Sequence, residues 1–397
     1  MASQRQLFLN HVAQVSPEPL AIEIDRARGC LIIDKKGKRY IDLISGISVS
    51  NLGHNYPSVN RAITKQLKKY THVMVYGELV ESPQVLLAGK LAQHLPKTLQ
   101  SVYYVNSGNE AIDGAIKLAK RTTGRAEIIS FRNAYHGSGQ GALSIMGHEY
   151  FKNAFRPLVP GNQIINYNNA NDIAKISGKT AAVVVEPVQG EGGYLPANKE
   201  WLTSLRNKCT EVGALLIFDE IQTGFGRTGA LFAFEQYQVV PDILCLAKGF
   251  GGGLPLGAFI SSVEIMNNLT HDPVLGHITT FGGHPLSCSA SLATLKVLLK
   301  TSYIEEVKEK EIMFRKLLVH PQILSINGKG LMLAIEFENE ELNRKIISKC
   351  IENGVFTDWF LFNAKSMRLS PPLIISKEEI KRACKLILKS IDEISTG

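Results

Sequence analysis

The sequence predicts an α/β fold: a mostly parallel sheet with helices on both faces, joined to a smaller α+β domain. Three observations predict it. Between about residues 100 and 262, short continuous apolar runs recur at 101–105, 127–131, 181–188, 214–220, 243–247 and 257–262. Helix-like stretches such as 109–121 and 199–212 separate most of them, and fully apolar strands alternating with helices mean a sheet covered on both sides. After about residue 288 the texture changes to long helices, a few strands (331–337 and 367–369) and a final amphipathic helix over 377–393.

In chain order, residues 18–45 alternate short strands and turns, with Asp34–Gly37 reading as a hairpin between LII and RYIDL. Helical spacing follows Pro57 (Val59, Ile63, Leu67) and Pro83 (Leu87, Leu91, Leu95). The 397 residues exceed one compact core. We divide them into an N-terminal segment 1–48 that joins the small domain, a large domain 49–287 and a small domain 288–397.

Composition narrows the function classes. The formal charge of +8 is spread over helix faces such as 305–316 and 377–389, without an aromatic-interleaved basic stripe. That pattern fits solubility or steering of small anions and argues against nucleic acid. No apolar run reaches the length of a membrane span, and MASQRQLFLN lacks the layout of a signal peptide, so a cytoplasmic location is expected. The cysteines (Cys30, Cys209, Cys245, Cys288, Cys350 and Cys384) form no CxxC pair and read as buried thiols. His277 and His284 read as loop histidines; no metal-ligand spacing occurs, and no metal is expected.

In such a sheet, ligands bind beyond the carboxyl ends of the strands. After the first run comes Asn106-Ser107-Gly108-Asn109, opening a helix at Glu110. A Ser-Gly turn there presents amides and a positive dipole end to a phosphate, or is a plain N-cap. After the second run, Tyr135 and His136 precede Gly137; Tyr135 stacks on a flat ring or is a half-buried loop tyrosine. The next run leads into Glu186–Gly193, with two acids and three glycines in eight residues, a shaped loop. The following strand ends in Asp219-Glu220, with Gln222 beyond. A carboxylate ending so apolar a run needs a cation or a hydrogen-bond partner, and a pyridinium serves as well as a helix cap. The run 243–247 delivers Lys248 into a glycine-rich turn. Partial desolvation there frees the amine as a nucleophile for carbonyls; a salt-bridged structural lysine is the alternative. No P-loop occurs, and no strand leads into a dinucleotide fingerprint. Together these groups supply what pyridoxal phosphate asks for: a phosphate cradle, a stacking aromatic, an acid for the ring nitrogen and a lysine for the aldehyde.

With the motifs NSGNEA (106–111), EPVQGEGG (186–193), FDEIQTGFGRTG (218–229), AKGFGGGLPLGA (247–258) and TFGGHP (280–285), the sequence resembles the class III (ω-amino acid) aminotransferases of the fold-type I pyridoxal-phosphate enzymes. The likeness spans nearly the whole chain, from YIDLISGISVSNLGH (40–54) to MRLSPPL (367–373), and is nearest in texture to the acetylornithine/ornithine group. The resemblance implies that Lys248 binds the cofactor aldehyde and shuttles the proton. It further implies that Asp219 pairs with the pyridine nitrogen, Gln222 bonds the ring hydroxyl, Tyr135 stacks, and Ser107, Gly108 and Asn109 hold the phosphate. Glu186 joins these cofactor-binding residues, and Thr280 from the neighbouring subunit completes the phosphate site, which implies a homodimer. Arg368 matches the arginine that binds the 2-oxo acid carboxylate, usually of 2-oxoglutarate, and Glu191 the acid that pairs with it when the ω-amine donor is bound. Two positions depart from the ornithine pattern: Ser138 replaces an arginine after the aromatic-X-Gly of the stacking loop, and Ile47 replaces a tyrosine. Both border the substrate. Two other readings compete with ping-pong transamination: another reaction on this fold (racemase, aminomutase or decarboxylase), and a non-catalytic binding protein, against which the intact Lys248 argues.

Overall fold

The computed structural model describes residues 2–395. Its centre is a seven-stranded sheet with the spatial order Ser101–Val105, Gly257–Ser261, Ile243–Leu246, Leu215–Asp219, Thr180–Val185, Glu127–Phe131 and Asn162–Ile165. Six strands run the same way; Gly257–Ser261 runs against both neighbours. The six apolar runs of the sequence all become strands of this sheet. The seventh strand, Asn162–Ile165, lies at the edge, is half-buried over most of its length and opens on two polar residues, so it lacks the apolar run that marks the others.

Helices cover the sheet. Gly108–Thr123 is capped at its start by the Ser107 hydroxyl, which accepts from the Glu110 amide, and is closed by left-handed Gly124. Lys199–Val212 starts at Asn198 in the same way and ends at left-handed Gly213. Fully buried Val183, Val185, Leu216, Phe218, Leu244 and Leu246 belong to the larger core on one face, while Ala182, Val184, Ile217, Ile243 and Cys245 belong to a second core on the other. Alternate residues of each strand thus feed opposite cores.

After the helix Pro285–Leu298, the strands Ser325–Lys329, Met332–Glu336 and Ser366–Leu369 form an antiparallel sheet. The helix Lys377–Ser395 lies over this part of the chain and buries Ile380, Ala383, Cys384, Ile387 and Ile391, one apolar stripe. Each fully buried isoleucine there contributes roughly 1.5–3 kcal/mol. The hairpin expected around Asp34–Gly37 joins Leu31–Asp34 to Arg39–Asp42, and the late strand Val355–Phe356 pairs parallel with the latter. All six cysteines are free and buried. No helix among the described residues is long and apolar enough to cross a membrane.

Candidate active site

Because six strands share one direction, their carboxyl ends lie along one edge, and a cavity of ≈ 450 Å³ opens there. Ser107, Gly108, Asn109, Tyr135, Ser138, Glu186, Glu191, Asp219, Gln222 and Lys248, all singled out in the sequence, line it. Gly257 starts the antiparallel strand at the same edge. A Cβ on Gly257 would stand 2.3 Å from the Ser107 carbonyl oxygen, so only glycine lets this strand lie against the turn that opens the helix.

Lys248 begins a single 3₁₀ turn, Lys248–Gly251, with φ at 48°. Its ammonium makes no hydrogen bond or ion pair among the described residues. Burial lowers the pKa below the usual lysine value, against the opposing pull of Glu191 and Asp219. Asp219 is buried; its Oδ2 lies 2.7 Å from Nδ1 of His136, and its Oδ1 accepts from the Ile221 amide at 3.0 Å. Burial disfavours the His136 imidazolium, but the Asp219 carboxylate outweighs it and raises the pKa. The sequence reading passed over His136, a histidine next to a candidate stacking residue, because nothing local shows that it meets a carboxylate 83 positions away.

Tyr135 is half-buried, and its amide donates to Glu186 at 2.9 Å. The other oxygen of Glu186 accepts from Gly190 at 2.7 Å, so this carboxylate fastens two cavity loops together. Asn109 does similar work: its Oδ1 accepts from Gly139 at 2.6 Å and ties the stacking loop to the helix start. The Gln222 amide donates to the Tyr194 hydroxyl at 2.9 Å and to Ser48 at 3.2 Å.

Arg368, on the strand Ser366–Leu369, is buried and grips Glu191 with both prongs, Nη1 to Oε1 at 3.0 Å and Nη2 to Oε2 at 2.9 Å. Its Nε donates to Asp358 at 2.9 Å. Burial opposes ionisation of Glu191, yet Arg368 holds its pKa below the usual value. Three predicted residues stand apart from the cavity lining. Arg368 is reached through Glu191. Ile47 is half-buried in a loop from which Val49 lines the cavity instead. Thr280 is exposed on a loop whose neighbour Thr279 accepts from Asn106 at 2.8 Å. His284, read in the sequence as a loop histidine, caps the helix Pro285–Leu298, its Nδ1 accepting from Leu286 at 3.3 Å.

These residues fit pyridoxal phosphate. The first-turn amides of Gly108 and Asn109 have no partner within the helix and open on the cavity, suited to a phosphate. An uncommitted, desolvated lysine amine suits an aldehyde, and a buried carboxylate oriented by a histidine suits a pyridinium. Fold and site together define a pyridoxal-phosphate enzyme.

Comparison with known proteins gives the family. The aminotransferase class-III model matches residues 12–391, and the chain belongs to that family. It is 38% identical over 386 residues to the acetylornithine aminotransferase of Clostridium acetobutylicum, covering 93% of this chain and 96% of that one. Among solved structures it resembles an ornithine aminotransferase from Toxoplasma gondii, with TM-score 0.91, 29% identity, and 98% and 93% of the two chains covered. It is equally similar in shape to the adenosylmethionine-8-amino-7-oxononanoate aminotransferase from Methanocaldococcus jannaschii, with TM-score 0.91, 30% identity and 98% of each chain covered. The fold is therefore that of the fold-type I enzymes, and the chain is a pyridoxal-phosphate-dependent transaminase.

Proposed function

We propose that the chain moves an amino group from an ω-amine or amino acid donor of the acetylornithine/ornithine kind to a 2-oxo acid such as 2-oxoglutarate, in a ping-pong cycle. The observation that carries this reading is the two-pronged pair of Arg368 and Glu191, whose charges both act on Lys248. A site that takes two substrates in turn must accept a carboxylate in one half-cycle and a differently charged donor tail in the other. With Glu191 on Arg368 the guanidinium is neutralised and the donor meets no free cation. With Glu191 turned aside, the same fork takes an incoming carboxylate bidentately.

When bound, pyridoxal phosphate supplies an aldehyde and an electron-withdrawing ring. The chain's own residues do the rest. Lys248 acts first as a nucleophile and then as the proton carrier at Nζ, both favoured by its lowered pKa. Asp219, oriented by His136, offers a fixed negative charge to the ring nitrogen. Gln222 offers a hydrogen bond to the ring hydroxyl, Tyr135 a stacking face, and Ser107, Gly108 and Asn109 the phosphate cradle, while Glu186 fixes the loops around them.

Ser138 borders the donor tail, and Val49 takes the place at the cavity that the sequence assigned to Ile47. Neither is basic, and Lys248 and His136 are the basic side chains among the cavity's lining residues. A donor tail ending in an amine or in apolar groups meets less opposition there than one ending in a carboxylate. Thr280 is assigned to the neighbouring subunit's phosphate site in a homodimer. Its exposure supports this, as do the exposed apolar side chains of Val274, Leu275, Ile278 and Phe281 beside it. Six buried free thiols support a reducing, cytoplasmic setting.

The test is the absorption spectrum of the purified protein loaded with pyridoxal phosphate, before and after a panel of amines. The panel includes ornithine, N-acetylornithine, lysine, 4-aminobutyrate, putrescine and a hydrophobic amine, with Lys248→Ala as control. One donor is expected to bleach the visible band and 2-oxoglutarate to restore it. A loaded protein that no donor bleaches, and that consumes no 2-oxo acid, would refute the proposed donors and acceptor and point to another reaction at this site.

A further inference from the structure

Arg368 is held on more sides than exchange of one carboxylate for another requires. Its Nε donates to Oδ1 of Asp358 at 2.9 Å, and Nη2 also donates to the Trp359 carbonyl at 3.2 Å. The Phe360 ring lies under the guanidinium carbon at 4.5 Å. These three contacts come from consecutive residues of one segment. That segment is itself fastened to the arginine's strand: the Arg368 amide donates to the Asp358 carbonyl at 2.8 Å, and Trp359 bridges to Met367.

A guanidinium has five donors in one plane. Asp358 and the Trp359 carbonyl occupy the side formed by Nε and Nη2, while Glu191 occupies the fork formed by Nη1 and Nη2. When Glu191 leaves the fork, the contacts on the first side stay in place. Arg368 is buried and Asp358 half-buried, and a guanidinium with one edge already committed has little freedom to turn in such a setting.

We infer that Asp358 is the positioning residue of the exchange: it holds the Arg368 guanidinium stationary, fork toward the cavity, so that Glu191 alone moves when a 2-oxo acid carboxylate arrives. This rests on the reading that Arg368 binds the acceptor. The Asp358 oxygen does the positioning by accepting from Nε, so an amide oxygen in its place performs the same task. Nothing in the local sequence marks Asp358, which lies ten residues before the arginine it holds.

The test separates the two half-reactions by following the visible band of the loaded enzyme in single turnover. The bleaching amine drives the first half and 2-oxoglutarate the second. Calorimetric binding of glutarate, an unreactive dicarboxylate, is a second readout. Asp358→Ala is expected to raise the half-saturating 2-oxoglutarate concentration and the glutarate dissociation constant about 10- to 100-fold, the equivalent of one hydrogen bond to a charged group. The donor half-reaction should change far less, and Asp358→Asn should recover most of the loss. Three outcomes would overturn the inference: Asp358→Ala indistinguishable from wild type, both half-reactions damaged equally, or Asp358→Asn as poor as the alanine variant. Arg368→Ala is the separate control on the underlying reading. If it leaves 2-oxoglutarate saturation unchanged, Arg368 is not the acceptor's partner and Asp358 has nothing to position; if it alone weakens saturation, the reading stands and the inference about Asp358 fails.

Discussion

Replacing Asp219 by asparagine in the cofactor-free protein tests how the site is pre-arranged. The carboxylate meets Nδ1 of His136 at 2.7 Å, both groups are buried, and His136 Nε2 is buried without a partner among the described residues. The ring therefore hangs on this one hydrogen bond. Burial works against the imidazolium, but Asp219 raises its pKa above the ordinary 6.5. A group whose pKa is raised on folding contributes stability that is fully present below its unfolded value and lost as pH rises through the folded value. A hydrogen bond to a charged partner contributes about 1.5–3 kcal/mol, and a neutral one about 1 kcal/mol. Asp219→Asn should thus cost about 1.5–3 kcal/mol near pH 5.5, where imidazolium faces carboxylate, and less near pH 9, because the charge on the histidine is lost as pH rises through its raised folded pKa. Urea unfolding of both proteins at the two pH values measures the difference. A cost that is the same at both, or larger at the alkaline end, would refute the picture of an ion pair formed before the cofactor arrives.

Other outcomes follow from the same geometry. Gly257→Ala puts a methyl 2.3 Å from the Ser107 carbonyl oxygen and must shift the phosphate turn or the strand. Pyridoxal phosphate affinity, measured by fluorescence titration, should fall about tenfold or more, the equivalent of one lost charged hydrogen bond; unchanged affinity would mean the turn is not the cradle. The lowered pKa of Lys248 should make it the first lysine modified by reductive methylation of the cofactor-free protein near neutral pH, as read by mass spectrometry. Modification no faster than at exposed lysines would contradict this. Ser138→Arg places a guanidinium at the cavity wall. It should raise kcat/KM for donors whose tail ends in a carboxylate by about tenfold, and equal changes for all donors would show that Ser138 does not face the tail.

Much of the site was legible because its residues follow strands that announce themselves. Each of Asn106, Glu186 and Lys248 comes within two residues of the end of an apolar strand, Tyr135 comes four residues after one, and Asp219 ends one. In a parallel sheet that position already means one shared edge. The edge strand Asn162–Ile165 escaped because only Ile164 and Ile165 of its four residues are apolar, and the reversed direction of Gly257–Ser261 escaped because strand polarity leaves no periodic trace. Ile47 and Val49 illustrate the limit of position matching. In a loop where Gly46 and Ile47 both take left-handed φ, the chain turns so that Val49 faces the cavity.

By itself, the sequence determined the apolar strands, the caps and glycine turns at their ends, and the kind of chemistry those turns can present. Each depends on residues a few positions apart, where periodicity, N-caps and left-handed turns operate. Only the tertiary structure decided that His136 orients Asp219, that Asp358 and Glu191 take different sides of Arg368, and that Asn109 and Glu186 fasten the loops around the cavity. Most of these partners lie tens to nearly two hundred positions apart, and Asp358 meets Arg368 only because its segment pairs with the arginine's strand. Such meetings are set by how strands order and layers stack, which no local pattern of residues encodes.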